Sequence, residues 1–99
     1  MKILAMEREL PGATDEQFGP DLLKAEATRV WELYQVGVVR ELYFRADRSE
    51  AVLVLECASV EEARDALSTL PLVQEKAIVF DLIVLRAYPG FARLFASAE

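Results

Sequence analysis

The sequence predicts an α+β domain, a four-stranded antiparallel sheet with two helices packed on one face. Three observations carry that expectation. Four segments of strand length are apolar or alternate with period two. Two others repeat apolar residues at helical spacing, and the order of the six is β-α-β-β-α-β. That order is the ferredoxin-like arrangement, in which both helices fall on the same side of the sheet. With 99 residues and no linker, low-complexity segment or internal repeat, the chain reads as one domain, residues 1–99.

The first strand covers residues 2–9 and ends at Leu10-Pro11-Gly12, a turn signal. Thr14-Asp15-Glu16-Gln17 is a capping-box pattern, with Thr14 as N-cap and Gln17 three positions on. Gly19-Pro20 follows. Either a short first turn kinks there, or the main helix starts with Pro20 at its tolerant first position. The helix runs over residues 20–35, and Gly37 closes it. Residues 38–46 and 51–57 are the second and third strands, joined as a hairpin by the polar turn Asp47-Arg48-Ser49-Glu50.

Ser59-Val60-Glu61-Glu62 opens the second helix with another capping box, and Ala63, Ala66, Leu67 and Leu70 form its apolar face. Pro71 ends that helix or follows it. Residues 77–88 make a long last strand, stopped by Pro89-Gly90. In the tail, about residues 89–99, Phe91, Leu94 and Phe95 have the spacing of one or two helical turns.

Strand parity adds a constraint on assembly. Ala51, Leu53, Leu55 and Cys57 point one way, Val52 and Val54 the other. In the last strand Val79, Ile83 and Leu85 oppose Ile78, Phe80, Leu82 and Val84. Both faces are apolar, yet two helices cover only one. A second copy of the chain is the simplest cover, so a homodimer or higher homo-oligomer is expected, with the tail packing on a neighbouring subunit.

One residue of the first helix is out of place. At 100° per residue, Leu22, Leu33, Val30, Leu23, Tyr34 and Ala27 fall on one arc of roughly 140°. Glu26 projects inside that arc, between Leu22 and Val30. A carboxylate there must find a partner or neutralise. Two readings stay open: a structural ion pair with an arginine of the sheet, or a carboxylate lining a pocket between helix and sheet with a proton to move.

The second strand is the polar one. Arg40, Leu42 and Phe44 share one face; Glu41, Tyr43 and Arg45 share the other. They line a pocket or form an ion ladder at a sheet edge. Trp31 and Tyr34 are core and rim residues of the helix, or part of a ligand platform. Asp81, flanked by apolar residues, is expected to be buried and paired.

Composition narrows the chemistry. The charge sum is 11 − 17 = −6 with no basic run, which disfavours nucleic acid and anionic membrane as partners. There is no histidine, which removes an imidazole base, a histidine triad and histidine metal or haem sites. Cys57 is the single cysteine, so no disulfide closes within the chain; a reducing cytoplasm and an inert buried thiol are expected. Residues 1–6 are too short for a signal-peptide core, and no apolar run approaches membrane-spanning length. No phosphate-binding glycine loop, nucleotide fingerprint, metal-spaced cluster or activated serine stands in the sequence.

Leu67-Ser68-Thr69-Leu70-Pro71-Leu72 before the last strand resembles the muconolactone delta-isomerase family, as does Glu26, eleven residues before Gly37. The likeness covers roughly residues 22–89 without a gap. The run Arg40-Glu41-Leu42-Tyr43-Phe44 stands where the family has Arg-His-Leu-Trp-Arg, and Ala51 and Val52 replace a polar pair. The resemblance implies a dimeric α/β barrel, in which the sheets of two ferredoxin-like subunits close on each other. It implies a proton shift on a small unsaturated lactone or organic acid, with neither metal nor cofactor. Glu26 would be the proton shuttle, Arg40 or Arg45 would hold an anionic group, and Tyr43 would shape the pocket. Two rivals remain: a non-catalytic ligand-binding or assembly protein, and a cofactor-free monooxygenase of the wider barrel superfamily.

Overall fold

A computed structural model describes residues 1–95. It contains the expected order: β1 (Lys2–Glu9), α1 (Pro20–Gln35), β2 (Val39–Phe44), β3 (Ala51–Glu56), α2 (Val60–Leu67), α3 (Pro71–Gln74), β4 (Ile78–Leu85) and α4 (Ala92–Phe95). The sheet has four strands in the order β2-β3-β1-β4, every neighbouring pair antiparallel.

Local chemistry explains the joints. Both alternatives at Gly19-Pro20 are realised in sequence. A 3-10 turn spans Asp15–Phe18, and α1 then starts with Pro20 in its first turn. Gln17 ties the turn down, its Oε1 accepting the Thr14 amide at 2.8 Å and its amide nitrogen donating to the Glu75 carbonyl at 2.7 Å. Gly37 leaves α1 at φ +84°, a left-handed conformation that a side chain would strain. Ser59 Oγ accepts the Glu62 amide at 3.1 Å and starts α2. Pro71 does not end α2. It opens a separate short helix, α3, in which its missing N–H costs nothing.

The core lies between helices and sheet. Ile3, Ala5, Val39, Leu53 and Leu55 on the inner sheet face are at most 3% exposed, and Leu33, Ala63, Leu67 and Leu70 close over them. Truncating a residue such as Leu55 to alanine should cost about 2–5 kcal/mol. Parity in β3 and β4 is as the alternation predicts.

Three expectations need correction. The register shifts between Val39 and Glu41, so Arg40 sits in an irregularity and does not share the alternation of Leu42 and Phe44. The last strand ends at Leu85, short of residue 88. Asp81 is paired but not buried: Arg8 holds it at 3.2 and 3.3 Å while its side chain stays 57% exposed. Its apolar neighbours in sequence point to the opposite face, so they do not cover it.

On the outer face Leu4 lies between Val54 and Ile83, and Met6 between Val52 and Asp81. Beyond β4 the chain extends as an arm, and the longest dimension reaches 64 Å. Phe91, Leu94 and Phe95 are 67–85% exposed along it. The Tyr88 ring folds over Gly90, where a Cβ would make it swing away, and meets Phe91 edge-on at 5.1 Å.

Candidate active site

The geometry of Glu26 fits neither sequence-based reading completely. Helical periodicity turns it from α1 toward the sheet, where the N-terminus of α3 arrives. Its Oε1 accepts the backbone N–H of Leu72 at 2.9 Å. Leu72 carries one of the amides that a helix start leaves without an intrahelical partner, so Glu26 caps α3 from another element. Among the described residues it forms no ion pair with an arginine. Its second oxygen is neither bonded nor sealed in protein. Glu26 borders a cavity of about 810 Å³ between α1 and the sheet.

The cavity walls are mostly apolar. Leu23, Ala27 and Val30 come from α1, Leu42 and Phe44 from β2, and Phe80 from β4. Trp31 and Tyr34 stand at its edge, their rings stacked at 5.8 Å and 25°. Burial raises the Glu26 carboxyl above its ordinary value of 4.5, and the Leu72 amide partly offsets that by favouring the anion.

A second carboxyl lines the same space. Glu7 of β1 lies opposite Phe80, on the face of Ile3 and Ala5. Its carboxyl is pushed up to about 7, first by burial and then by the negative charges of Glu26, Glu50 and Glu9, against the stabilising Ala51 amide. Burial and the neighbouring negative charges, that of Glu26 among them, leave Glu7 holding its proton up to about 7. Sequence reasoning passed over Glu7 although the signal was present. Period-two parity from Ile3 and Ala5 carries straight to residue 7.

The other expected site residues scatter. Tyr43 touches the cavity rim, but its hydroxyl donates to Glu41 Oε1 at 2.9 Å on the outer side of β2. The two arginines expected to hold an anionic group do not line this cavity. Arg40 borders an adjoining depression of about 560 Å³ that shares Trp31 and Tyr34 with the cavity, and its Nε donates to the Gly37 carbonyl at 2.6 Å. Arg45 is engaged by Asp47 at 2.6 Å and Glu50 at 3.8 Å. Among the described residues no three acidic or cysteine side chains converge as a metal-ligand set. Burial pushes the Cys57 thiol up, away from a reactive thiolate. No described helix is long and apolar enough to cross a membrane.

Comparison with known proteins gives the same architecture. No protein-family model matches the sequence, and neither does any curated protein sequence. Among solved structures, muconolactone isomerase superposes with a TM-score of 0.70 at 21% identity, over 90% of this chain and 92% of that one. A 5-chloro-2-hydroxyhydroquinone dehydrochlorinase from Burkholderia phenoliruptrix, solved with 2,5-dihydroxybenzoquinone, superposes with a TM-score of 0.67 at 13% identity, over 91% and 98%. The likeness read from the Leu-Pro-Leu segment and Glu26 therefore holds at the level of fold.

Proposed function

We propose that this chain, which carries the fold of muconolactone isomerase, is a small-molecule enzyme that moves a proton within an unsaturated lactone without a cofactor. The observation that supports this most is the free oxygen of Glu26, a carboxylate of raised pKa on an apolar cavity of ligand size. Carbon acids beside a lactone carbonyl are weak, and a carboxylate short of water is a stronger base than one in bulk solvent. Glu26 takes the proton from the carbon alpha or vinylogous to the carbonyl. The electron pair passes into a dienolate. The same carboxyl returns its proton to the other terminus, so the double bond shifts with no net oxidation or loss of atoms.

The outer sheet face and the exposed arm fit the same reading. A second copy covers Leu4, Val54 and Ile83, and a neighbouring subunit receives Phe91 and Leu94. The unpaired, buried Cys57 suits a reducing cytoplasm.

Hydrogen exchange tests the chemistry whatever the final product is. A set of unsaturated five-membered lactones is incubated in deuterium oxide and followed by proton NMR. Enzyme-dependent deuterium incorporation at an alpha or gamma carbon is expected, and its loss in Glu26→Gln. Exchange that proceeds equally in Glu26→Gln, or in none of the lactones, defeats the assignment.

A further inference from the structure

We propose that the Glu26 cavity selects an uncharged apolar carbonyl compound and excludes organic anions. The inference rests on the reading of this cavity as a substrate site, and concerns the charge of what enters it. Two of its lining residues carry carboxyl groups, Glu7 from β1 and Glu26 from α1, and none of its lining residues is lysine or arginine. The remaining wall is aliphatic and aromatic, with Tyr34 and Tyr43 at its rim and the Tyr43 hydroxyl turned away to Glu41.

The basic side chains that sequence position brings near are directed elsewhere. Arg40 donates to the Gly37 carbonyl, Arg45 and Arg48 pair with Asp47 and Glu50, and Arg8 pairs with Asp81. Arg29 is held by Thr69 and Glu32. An organic anion entering the cavity would give up hydration and meet a charge of its own sign at short range. The field of the whole chain, at −6, adds to the repulsion. An uncharged lactone or enone loses little hydration, buries its ring against Val30, Leu42 and Phe80, and meets in Glu7 a carboxyl that still holds a proton near neutral pH. That proton is a hydrogen-bond donor for a carbonyl oxygen. The charge state of the pair thus matches a neutral acceptor and opposes a carboxylate.

Trp31 is the chain's single tryptophan and borders the cavity, so its fluorescence reports occupancy directly. The intact protein is titrated at pH 6, below the pKa of about 7 at which Glu7 releases its proton, with two matched probes, a butenolide bearing a carboxymethyl arm and the methyl ester of the same compound. The ester should bind at least about tenfold more tightly than the free acid. In Glu26→Gln, which removes the like charge, the acid should gain affinity and the gap should narrow severalfold, while the parent comparison stands whether or not that variant folds. Equal or tighter binding of the acid overturns the inference and leaves the proton-transfer reading intact. Ester preference without any deuterium exchange does the reverse. If neither probe changes the Trp31 signal, both fall.

Discussion

Glu26 and Leu72 lie 46 residues apart, and the carboxylate of one terminates the backbone of the other at 2.9 Å. One oxygen serves the fold, and the other is left without a bond on a residue that lines the cavity. Removing the charge and removing the hydrogen-bond acceptor are therefore separable experiments. Glu26→Gln keeps an acceptor for the Leu72 amide and should melt within a few degrees of the parent. Glu26→Ala leaves that amide uncapped and should cost about 1 kcal/mol, roughly 4–8 °C in Tm. Both variants should lose deuterium exchange. Equal melting temperatures for the two would show that the Leu72 contact contributes nothing.

Stability should fall as pH rises from about 4.5 to about 7. The folded state holds the Glu7 proton up to about 7, whereas the unfolded chain releases it near 4.5. Between those values the native state binds more protons, so the contribution is complete below 4.5 and is lost as pH rises through 7. Glu26, also raised, acts in the same direction. Because Glu7 is only half-buried, the effect is on the order of 1–2 kcal/mol after screening by water. Asp47 and Glu56, held below their ordinary values by Arg45 and the chain's amino terminus, lose their contribution only as pH falls, outside this window. Chemical denaturation at pH 5 and pH 8 should show the drop in the parent and a flatter profile in Glu7→Gln.

Self-association should depend on the outer face of the sheet. Ile83 pairs with Leu4 across the ladder and is 48% exposed in the single chain. Ile83→Glu should give a species of monomer mass by sedimentation at micromolar concentration, with strand content retained. Should the variant sediment like its parent, the partner copy must sit elsewhere.

The arm gives a separate expectation. Deleting residues 91–99 should weaken assembly beyond the dimer more than it changes secondary structure, because Phe91 and Leu94 make few contacts with their own core. Gly90→Ala should act in the same direction by driving the Tyr88 ring off its seat. An unchanged oligomeric mass in both would remove the arm from the assembly.

Sequence and structure agree where the physics is periodic. Alternation in residues 51–57 places Leu53 and Leu55 in the core, and helical spacing alone exposes Glu26 as an intruder. What periodicity misses is contact between distant segments. Nothing local to residue 26 indicates that a helix begins against it, because the approach of α1 to α3 is set by packing. The shift at Arg40 has no glycine or proline to mark it, and it removes from the pocket wall a side chain that plain alternation would put there. Arg45 shows the reverse weakness. Its partners Asp47 and Glu50 stand close by in sequence, and a local ion pair would have been the simpler expectation.

The dual employment of Glu26 bears on how such a protein would drift over evolutionary time. A descendant whose chemistry had lapsed would still be selected to keep an acceptor at position 26, since α3 needs its first turn closed. An acidic residue retained there is thus poor testimony to a living enzyme. Position 7 is the better witness. A carboxyl there opposes the fold at neutral pH, so a lineage relieved of catalysis should exchange it for an apolar side chain first.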